Sequence, residues 1–342
     1  MLLKKQLVKL LYRIPNKLID IPLLIALKIV SPIIYFYAIF RASSVPRSRD
    51  FLIKKGIYIL REDFYQPFFN FKNLKKHTRN LSSIDFCQKE QLKFLSTLNY
   101  QDELINLNLN KRMENKFDFS FSLEDLKIVE YQSGGFEEGD AEILYQVVRR
   151  FKPKNIIEAG YGNSTKIMLK AISQNMNEGH NTNLLCIDPY PREYLKKEGF
   201  HFIQKKIEEV DLDIYGRLEE NDFLFIDTSH MIKPQGDVLT IFLEILPKLK
   251  PGVIVHIHDI YSPNDYPIDL LKKEIIFFNE QYLLEALLLD SKRYETLAGL
   301  NYLFNSHLNE LCNVCPYLAE GIKLGTITNE RAPRSYYLRI KK

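Results

Sequence analysis

The second half of this sequence predicts a doubly wound α/β fold, and three observations carry that prediction. Short apolar runs recur at 155–159, 183–187, 201–204, 223–226 and 253–257. Segments with helical apolar spacing lie between them at 165–174, 190–197 and 238–249, and another follows the last run at 270–287. The first run ends in the turn Gly160-Tyr-Gly162, which opens a helix at the carboxyl end of a strand. Strands that alternate with helices form a parallel sheet covered on both faces, with its crevice at the strands' carboxyl ends.

Taken in chain order, the domain opens with a helix over 140–151. Ala141, Leu144, Tyr145 and Val148 fall on one face at helical spacing, and Pro153 stops it. After the five strands, 294–297 and 335–340 supply two closing strands, giving a seven-stranded sheet that ends in a hairpin. We therefore expect three regions: an apolar, basic helical arm over 1–50, a mixed helical and aromatic extension over 51–132, and the α/β domain over 133–342.

In the arm, Lys4, Lys5, Lys9, Arg13 and Lys17 precede an apolar stretch over 18–40, and Arg41, Arg47 and Arg49 follow it. Pro22 and Pro32 predict two or three short helices packed on the main domain or on a second subunit, because proline breaks a helix interior. Asp20 and Lys28 weigh against crossing a bilayer. An apolar face with basic flanks does suit a peripheral membrane contact. No small-residue cleavage site is evident, so a signal peptide is not expected. The extension carries Gly56-Ile-Tyr-Ile and Asp63-Phe-Tyr-Gln-Pro67, and 72–116 reads as helices with loops.

Composition narrows the function. Over 342 residues, 47 basic side chains nearly balance 43 acidic ones, for a net charge of +4. That balance argues against nucleic acid, which needs basic residues concentrated on one face. Cys87, Cys186, Cys312 and Cys315 are too few and too scattered for a disulfide framework, which points to the cytoplasm. Cys312-Asn-Val-Cys315 lacks a second pair to complete a zinc site.

The cofactor site is expected in Ile156-Ile-Glu-Ala-Gly-Tyr-Gly-Asn-Ser-Thr165. Gly160 and Gly162 let the backbone turn tightly and pass close to a ligand, and Ser164 or Thr165 can cap the helix that follows. A nicotinamide dinucleotide would also use such a turn, but its fingerprint has a third glycine where Ser164 stands. Glu158 ends its strand as a carboxylate that would repel a pyrophosphate and attract an ammonium group. Leu184-Leu-Cys-Ile-Asp188 ends a second strand in an acid able to accept from two ribose hydroxyls. Together these favour S-adenosylmethionine, with Glu158, Gly160, Gly162, Asn163, Ser164 and Asp188 as its contacts.

These stretches, with Phe225-Ile-Asp-Thr-Ser-His230 and Leu249-Lys-Pro-Gly-Val-Ile-Val-His-Ile-His-Asp259, resemble the successive motifs of class I methyltransferases. More narrowly, they resemble a bacterial group in the methyltransferase family numbered 24. The resemblance extends to Gly56–Pro67, to Phe136-Glu-Glu-Gly-Asp-Ala-Glu-Ile-Leu-Tyr145 and to Asn279-Glu-Gln-Tyr-Leu-Leu284. It implies a Rossmann-like seven-stranded sheet, S-adenosylmethionine as methyl donor, and a small molecule or glycan unit as acceptor. Tyr161 departs from the pattern, standing where a small residue is usual. Its side chain either crowds the pocket or points outward.

A hydroxyl acceptor needs a base or a metal as well as positioning. Asp227 and His230 follow the fourth strand, and His258 and Asp259 follow the fifth. We expect His230 as general base, since an unperturbed histidine titrates near pH 6.5, with Asp227 beside it. The resemblance to catechol O-methyltransferases implies Asp227 and Asp259 as metal ligands, with His258 making manganese as suitable as magnesium. A metal-free site is the alternative. His256 and His258 are expected to face opposite sides of the sheet, with His256 the structural one. Lys233, Gln235 and Asp237 lie on the following loop, and the resemblance adds Tyr261, Tyr266, Asn279, Glu280 and Gln281 as acceptor-pocket residues. Two other readings compete: a dinucleotide-dependent oxidoreductase, and a non-catalytic S-adenosylmethionine-binding scaffold whose arm mediates assembly, self-association included.

Overall fold

The computed structural model describes residues 16–39, 44–60, 74–75, 77–106, 136–190, 200–327 and 331–341. The chain divides into two compact units, Met1–Leu74 and Lys75–Lys342.

The first unit contains α1 (Asn16–Ile39) and α2 (Pro46–Lys54). The arm was expected to form two or three short packed helices, and α1 corrects this. It runs unbroken for 24 residues through Pro22 and Pro32. Proline at 32 removes the amide that would bond the carbonyl of Lys28, and the Ser31 hydroxyl donates to that carbonyl instead, at 3.1 Å. No described side chain of α1 is buried, and Leu18, Leu23, Leu24, Leu27 and Ile29, which lie on different sides of it, are all exposed.

The second unit is built on α3 (Gln88–Leu95), α4 (Gln101–Asn106), α5 (Asp140–Phe151), β1 (Asn155–Ala159), α6 (Asn163–Asn177), β2 (Asn183–Ile187), β3 (His201–Ile203) and β4 (Phe223–Ile226). It continues with α7 (237–248), β5 (Ile254–Ile257), α8 (Ile268–Lys272), α9 (Glu280–Leu288), β6 (Tyr294–Gly299), α10 (Leu300–Ser306), α11 (Leu308–Val314), α12 (Pro316–Lys323) and β7 (Tyr336–Ile340). The helix expected over 190–197 lies almost wholly outside the described residues. The single helix expected over 270–287 is two, α8 and α9, with an irregular stretch between them. The middle of α7, Ile241–Ile245, winds in wider π-type turns.

The sheet has seven strands in the order β3-β2-β1-β4-β5-β7-β6. The first five are parallel, and β7 runs antiparallel to both β5 and β6. Three helices separate β6 from β7, so the closing pair is not the expected hairpin. Strand order reverses at β1, with β2 on one side and β4 on the other, and the crevice of such a sheet opens there.

Period-two alternation sends each strand's side chains to two cores. Ile156, Phe223, Phe225 and Ile254 pack with α5, α6 and the α10–α12 region, whereas Ile157, Leu224, Ile226 and Val255 pack with α7 and α9. Apolar on both faces, these strands read as continuous hydrophobic runs, which is why their positions were legible. The helices α3 and α4, expected in a separate extension, belong to this unit. Leu104 is buried in its core, and Glu103 pairs with Arg149 of α5 at 2.7 Å.

Candidate active site

The strand ends at the crevice are stitched together by backbone. Gly160 N donates to Ile187 O at 3.0 Å, and Asp227 N donates to Ala159 O at 2.9 Å. Gly160 has φ +104, and a β-carbon there would lie 2.2 Å from the Asp227 carbonyl oxygen. Only glycine serves at this position. Gly162 is the cap of α6, and its N–H donates to the Thr165 hydroxyl at 3.0 Å, so Thr165 acts from the third helical position.

Glu158 is fully buried, and both oxygens of its carboxyl group are engaged. Ser164 Oγ donates to one at 2.6 Å and Thr165 Oγ1 to the other at 2.7 Å, with Cys186 Sγ 3.1 Å away. Burial pushes its pKa up to about 7 against the pull of those hydrogen bonds. Both oxygens tie the carboxyl to the turn that follows it, which it shapes from beneath. Asp188 is half-buried at the end of β2, where Oδ1 accepts from Tyr190 N at 2.6 Å. Tyr161 takes neither of its expected courses. It is buried beside Phe200 and Phe202, with ring centroids 5.6 and 5.2 Å away. Asn163 is exposed at the start of α6.

The carboxyl ends of β4 and β5 bring Asp227, His230, His258 and Asp259 together, as expected. His230 is buried, with Nε2 3.1 Å from Asp227 and 3.4 Å from Asp259, and Nδ1 2.8 Å from Glu280. His230 and Asp259 both adopt left-handed backbone, each at φ +55, a conformation that costs a non-glycine residue about 1–2 kcal/mol. Burial opposes charge on His230, but the carboxylates of Asp227, Glu280 and Asp259 outweigh it and hold the pKa well above 6.5. These carboxylates thus favour the protonated ring, whereas the sequence suggested an unperturbed imidazole.

His256 and His258 share a face, because side chains two residues apart along a strand point the same way. The expectation of opposite faces fails for that reason, and their rings lie 6.0 Å apart. His256 is nonetheless the structural one. It is fully buried, stacks on Phe225 at 4.1 Å and lies 2.8 Å from Ser335 Oγ. Burial and the neighbouring His258 hold its pKa well below 6.5. His258 Nδ1 sits 3.6 Å from Asp227 and 3.7 Å from Asp259, and its Nε2 lies 3.8 Å from Asp140. Burial opposes its charge as well, but these three carboxylates raise its pKa to about 10.

A family model described as a methyltransferase domain matches residues 157–260, the span from β1 to the end of this cluster. The chain carries a methyltransferase domain. Its sheet order and antiparallel last strand are those of the class I, S-adenosylmethionine-dependent form. An uncharacterized protein of Archaeoglobus fulgidus is 26% identical over 199 residues, which is 54% of this chain and 81% of that protein. Among solved structures, an O-methyltransferase from Bacillus cereus in complex with SAH is similar over 72% of this chain and all of its own, with 11% identity and a TM-score of 0.36. The MycE methyltransferase of mycinamycin biosynthesis, in complex with Mg and SAH, is similar over 58% of this chain and 48% of its own, with 14% identity and a TM-score of 0.29. Likeness at these scores is too loose to transfer chemistry.

Within the methyltransferase crevice, the residues expected to hold a metal do not fit one as arranged. Asp227, His258 and Asp259 converge, but the last carries the Arg334 guanidinium at 2.5 Å. Among the described residues, no group of three or more His, Cys, Asp or Glu side chains is arranged to hold a metal ion. Cationic side chains already occupy the positions that would compensate the carboxylates.

Several expected acceptor contacts brace the site from behind. Asp237 accepts from Ser229 N and Oγ, each at 2.7 Å, and so pins the loop after β4. Asn279 Oδ1 accepts from Ile232 N at 2.6 Å, and Gln281 Oε1 accepts from Tyr261 N at 3.0 Å. Tyr261 and Tyr266 are buried, with rings 5.6 Å apart. Lys233 remains largely exposed. Sequence reasoning missed the parts played by Asp140 and Arg334. Asp140 begins α5 and accepts from Arg334 N and Ser335 N at 2.9 and 2.7 Å, and no spacing pattern links residues 194 positions apart.

Proposed function

We propose that this protein transfers a methyl group from S-adenosylmethionine to a hydroxyl oxygen of a small molecule or a sugar or glycan unit. One observation carries the reading: an imidazole held between carboxylates at the end of β4, beside the glycine turn at the sheet's switch point. The sulfonium supplies an electrophilic methyl, and the protein's task is to aim an oxygen at it and take the proton.

In this reading Gly160, Gly162, Asn163 and Ser164 present backbone and hydroxyl groups to the amino-acid end of the cofactor, on a turn held by Glu158. Asp188 accepts from the ribose hydroxyls. The acceptor approaches Asp227, the most exposed member of the cluster. Its oxygen lone pair forms the new O–C bond while the S–C electron pair stays on sulfur. Its proton passes to Nε2 of the neutral fraction of His230, with Asp227 stabilising the imidazolium that results. Incubation with labelled S-adenosylmethionine and a panel of sugars, glycosides and phenols tests this. Label should appear in an ether stable to base, and its absence from every oxygen acceptor would sink the reading.

We further propose that α1 meets a lipid bilayer. The helix carries exposed apolar side chains on several sides with none of its described residues buried, and the 22 residues Leu18–Ile39 are long and apolar enough to cross one. At 1.5 Å per residue that length matches a hydrocarbon core of about 30 Å. The full chain should float with vesicles containing anionic lipid, and the double variant Ile25→Asp, Ile29→Asp should not.

A further inference from the structure

We propose that Glu280 is a positioning residue that holds His230 by Nδ1 and so turns Nε2 toward Asp227 and the incoming hydroxyl. The inference rests on the reading of His230 as the group that takes the acceptor's proton.

Glu280 opens α9 and is fully buried. Its Oε2 lies 2.8 Å from His230 Nδ1, while its Oε1 is buried with no hydrogen-bond partner among the described residues. Two other buried acids of the domain are used differently. Glu142 takes the N–H groups of Gly139, Tyr317 and Leu318, and Asp140 takes those of Arg334 and Ser335. Those carboxyls cap backbone, and each has both oxygens engaged. Glu280 spends its burial on one imidazole nitrogen and leaves an oxygen unsatisfied, a net cost to the fold.

The start of α9 reinforces the hold. Asn279 N and Glu280 N both donate to His230 O, at 3.0 and 3.2 Å, which fixes the left-handed backbone of His230. The half-buried Phe278 ring lies 4.6 Å from the imidazole and covers one side of it. Backbone, one ring nitrogen and one ring side are thereby fixed, and Nε2 is the edge left facing Asp227 and Asp259. With the Nδ1 proton held by Glu280, the neutral ring carries its lone pair on Nε2. A free imidazole would divide itself between tautomers and orientations, only one of which can accept the proton there.

The test is a set of variants in the full chain, read by kinetics and by nitrogen NMR of the histidine rings. Glu280→Gln keeps the shape and an acceptor oxygen, and should lower kcat about 10-fold, with Glu280→Ala nearer about 100-fold, the range for removing a group that orients a functional imidazole. Cofactor Kd and acceptor KM should stay within about threefold, as a purely positioning role requires. In a His230→Ala background, Glu280→Ala should cost no more than about twofold, because the two act as one unit. Unchanged kcat in both single variants, or an equal loss in that background, would overturn the proposal. The NMR arm decides even if wild-type protein transfers no methyl group, a result that would defeat the functional reading instead. Neutral His230 must carry its proton on Nδ1 and lose that preference in Glu280→Ala, which removes the acceptor; a proton on Nε2 in the wild type overturns the proposal outright.

Discussion

The two sides of the crevice are held by different physics. On the cofactor side, Glu158 is satisfied by two hydroxyls and sits at a pKa of about 7, so that half is built from near-neutral hydrogen bonds and a glycine with no room for a side chain. On the acceptor side, Asp140, Asp227, Asp259 and Glu280 are interleaved with His230, His258 and Arg334 within hydrogen-bond or ion-pair reach. A neutral scaffold keeps its shape whatever arrives. A compensated ionic cluster holds transferable protons on its histidines, and its charge can answer a change in the ligand. The comparison teaches that the shape-giving half and the proton-handling half are separable, and the following measurements try to separate them.

The largest effect is expected from His230→Ala, which should lower kcat by about 10²–10⁴-fold, the range for a positioned general base. Cofactor affinity should be retained in calorimetry; if it fell in parallel, the two halves would not be separable. On the proposed reading the neutral fraction of His230 carries the reaction in the wild type, and Asp227, Asp259 and Glu280 all face that ring and raise its pKa. Activity should therefore rise with pH through and above neutrality. A rate that is flat from pH 6 to 9 would count against His230.

Gly160→Ala should act on the scaffold. The left-handed backbone alone costs about 1–3 kcal/mol, and the clash with the Asp227 carbonyl adds to it, so a lowered Tm and weakened cofactor binding should appear together. A Tm within about a degree of wild type, for a loss the usual scaling puts at several degrees, would show that the strand ends can part cheaply.

Glu158→Gln sharpens the comparison through pH. The folded pKa of Glu158 is raised to about 7. The folded state therefore binds the proton more tightly than the unfolded chain, and that contribution is complete below the unfolded carboxyl range. It is lost as pH rises from there through about 7. The shift corresponds to at most about 3 kcal/mol. Urea unfolding from pH 5 to pH 8 should show wild type losing stability relative to Glu158→Gln, and parallel curves would remove the near-neutral assignment. The smallest effect is expected from chelation. With Arg334 and His258 already compensating Asp259 and Asp227, EDTA should change the rate by less than about twofold, whereas metal-assisted deprotonation would be worth several kcal/mol.

The strands and the glycine turn were legible because local rules govern them: a strand buried on both faces is a continuous apolar run, and a left-handed turn against another backbone demands glycine. The convergence of Asp227, His230, His258 and Asp259 was legible for the same reason, since strand ends at a switch point lie side by side. What each residue does there was not. The state of His230 depends on Glu280, 50 residues further along, and the compensation of Asp259 depends on Arg334 in the segment before β7. The arm failed differently. Two prolines argue locally for breaks, yet a hydroxyl next to one of them takes over the stranded carbonyl and the helix continues.

The peptide at 227 has no slack. Its amide is tied to Ala159, and its carbonyl rests where a methyl group on residue 160 would have to go. The position of Asp227 is thus inherited from the sheet rather than from the loop that follows it. On the proposed reading, exchanges within 231–236 would reshape the acceptor's approach without moving Asp227, and selectivity could diversify around a fixed chemical centre.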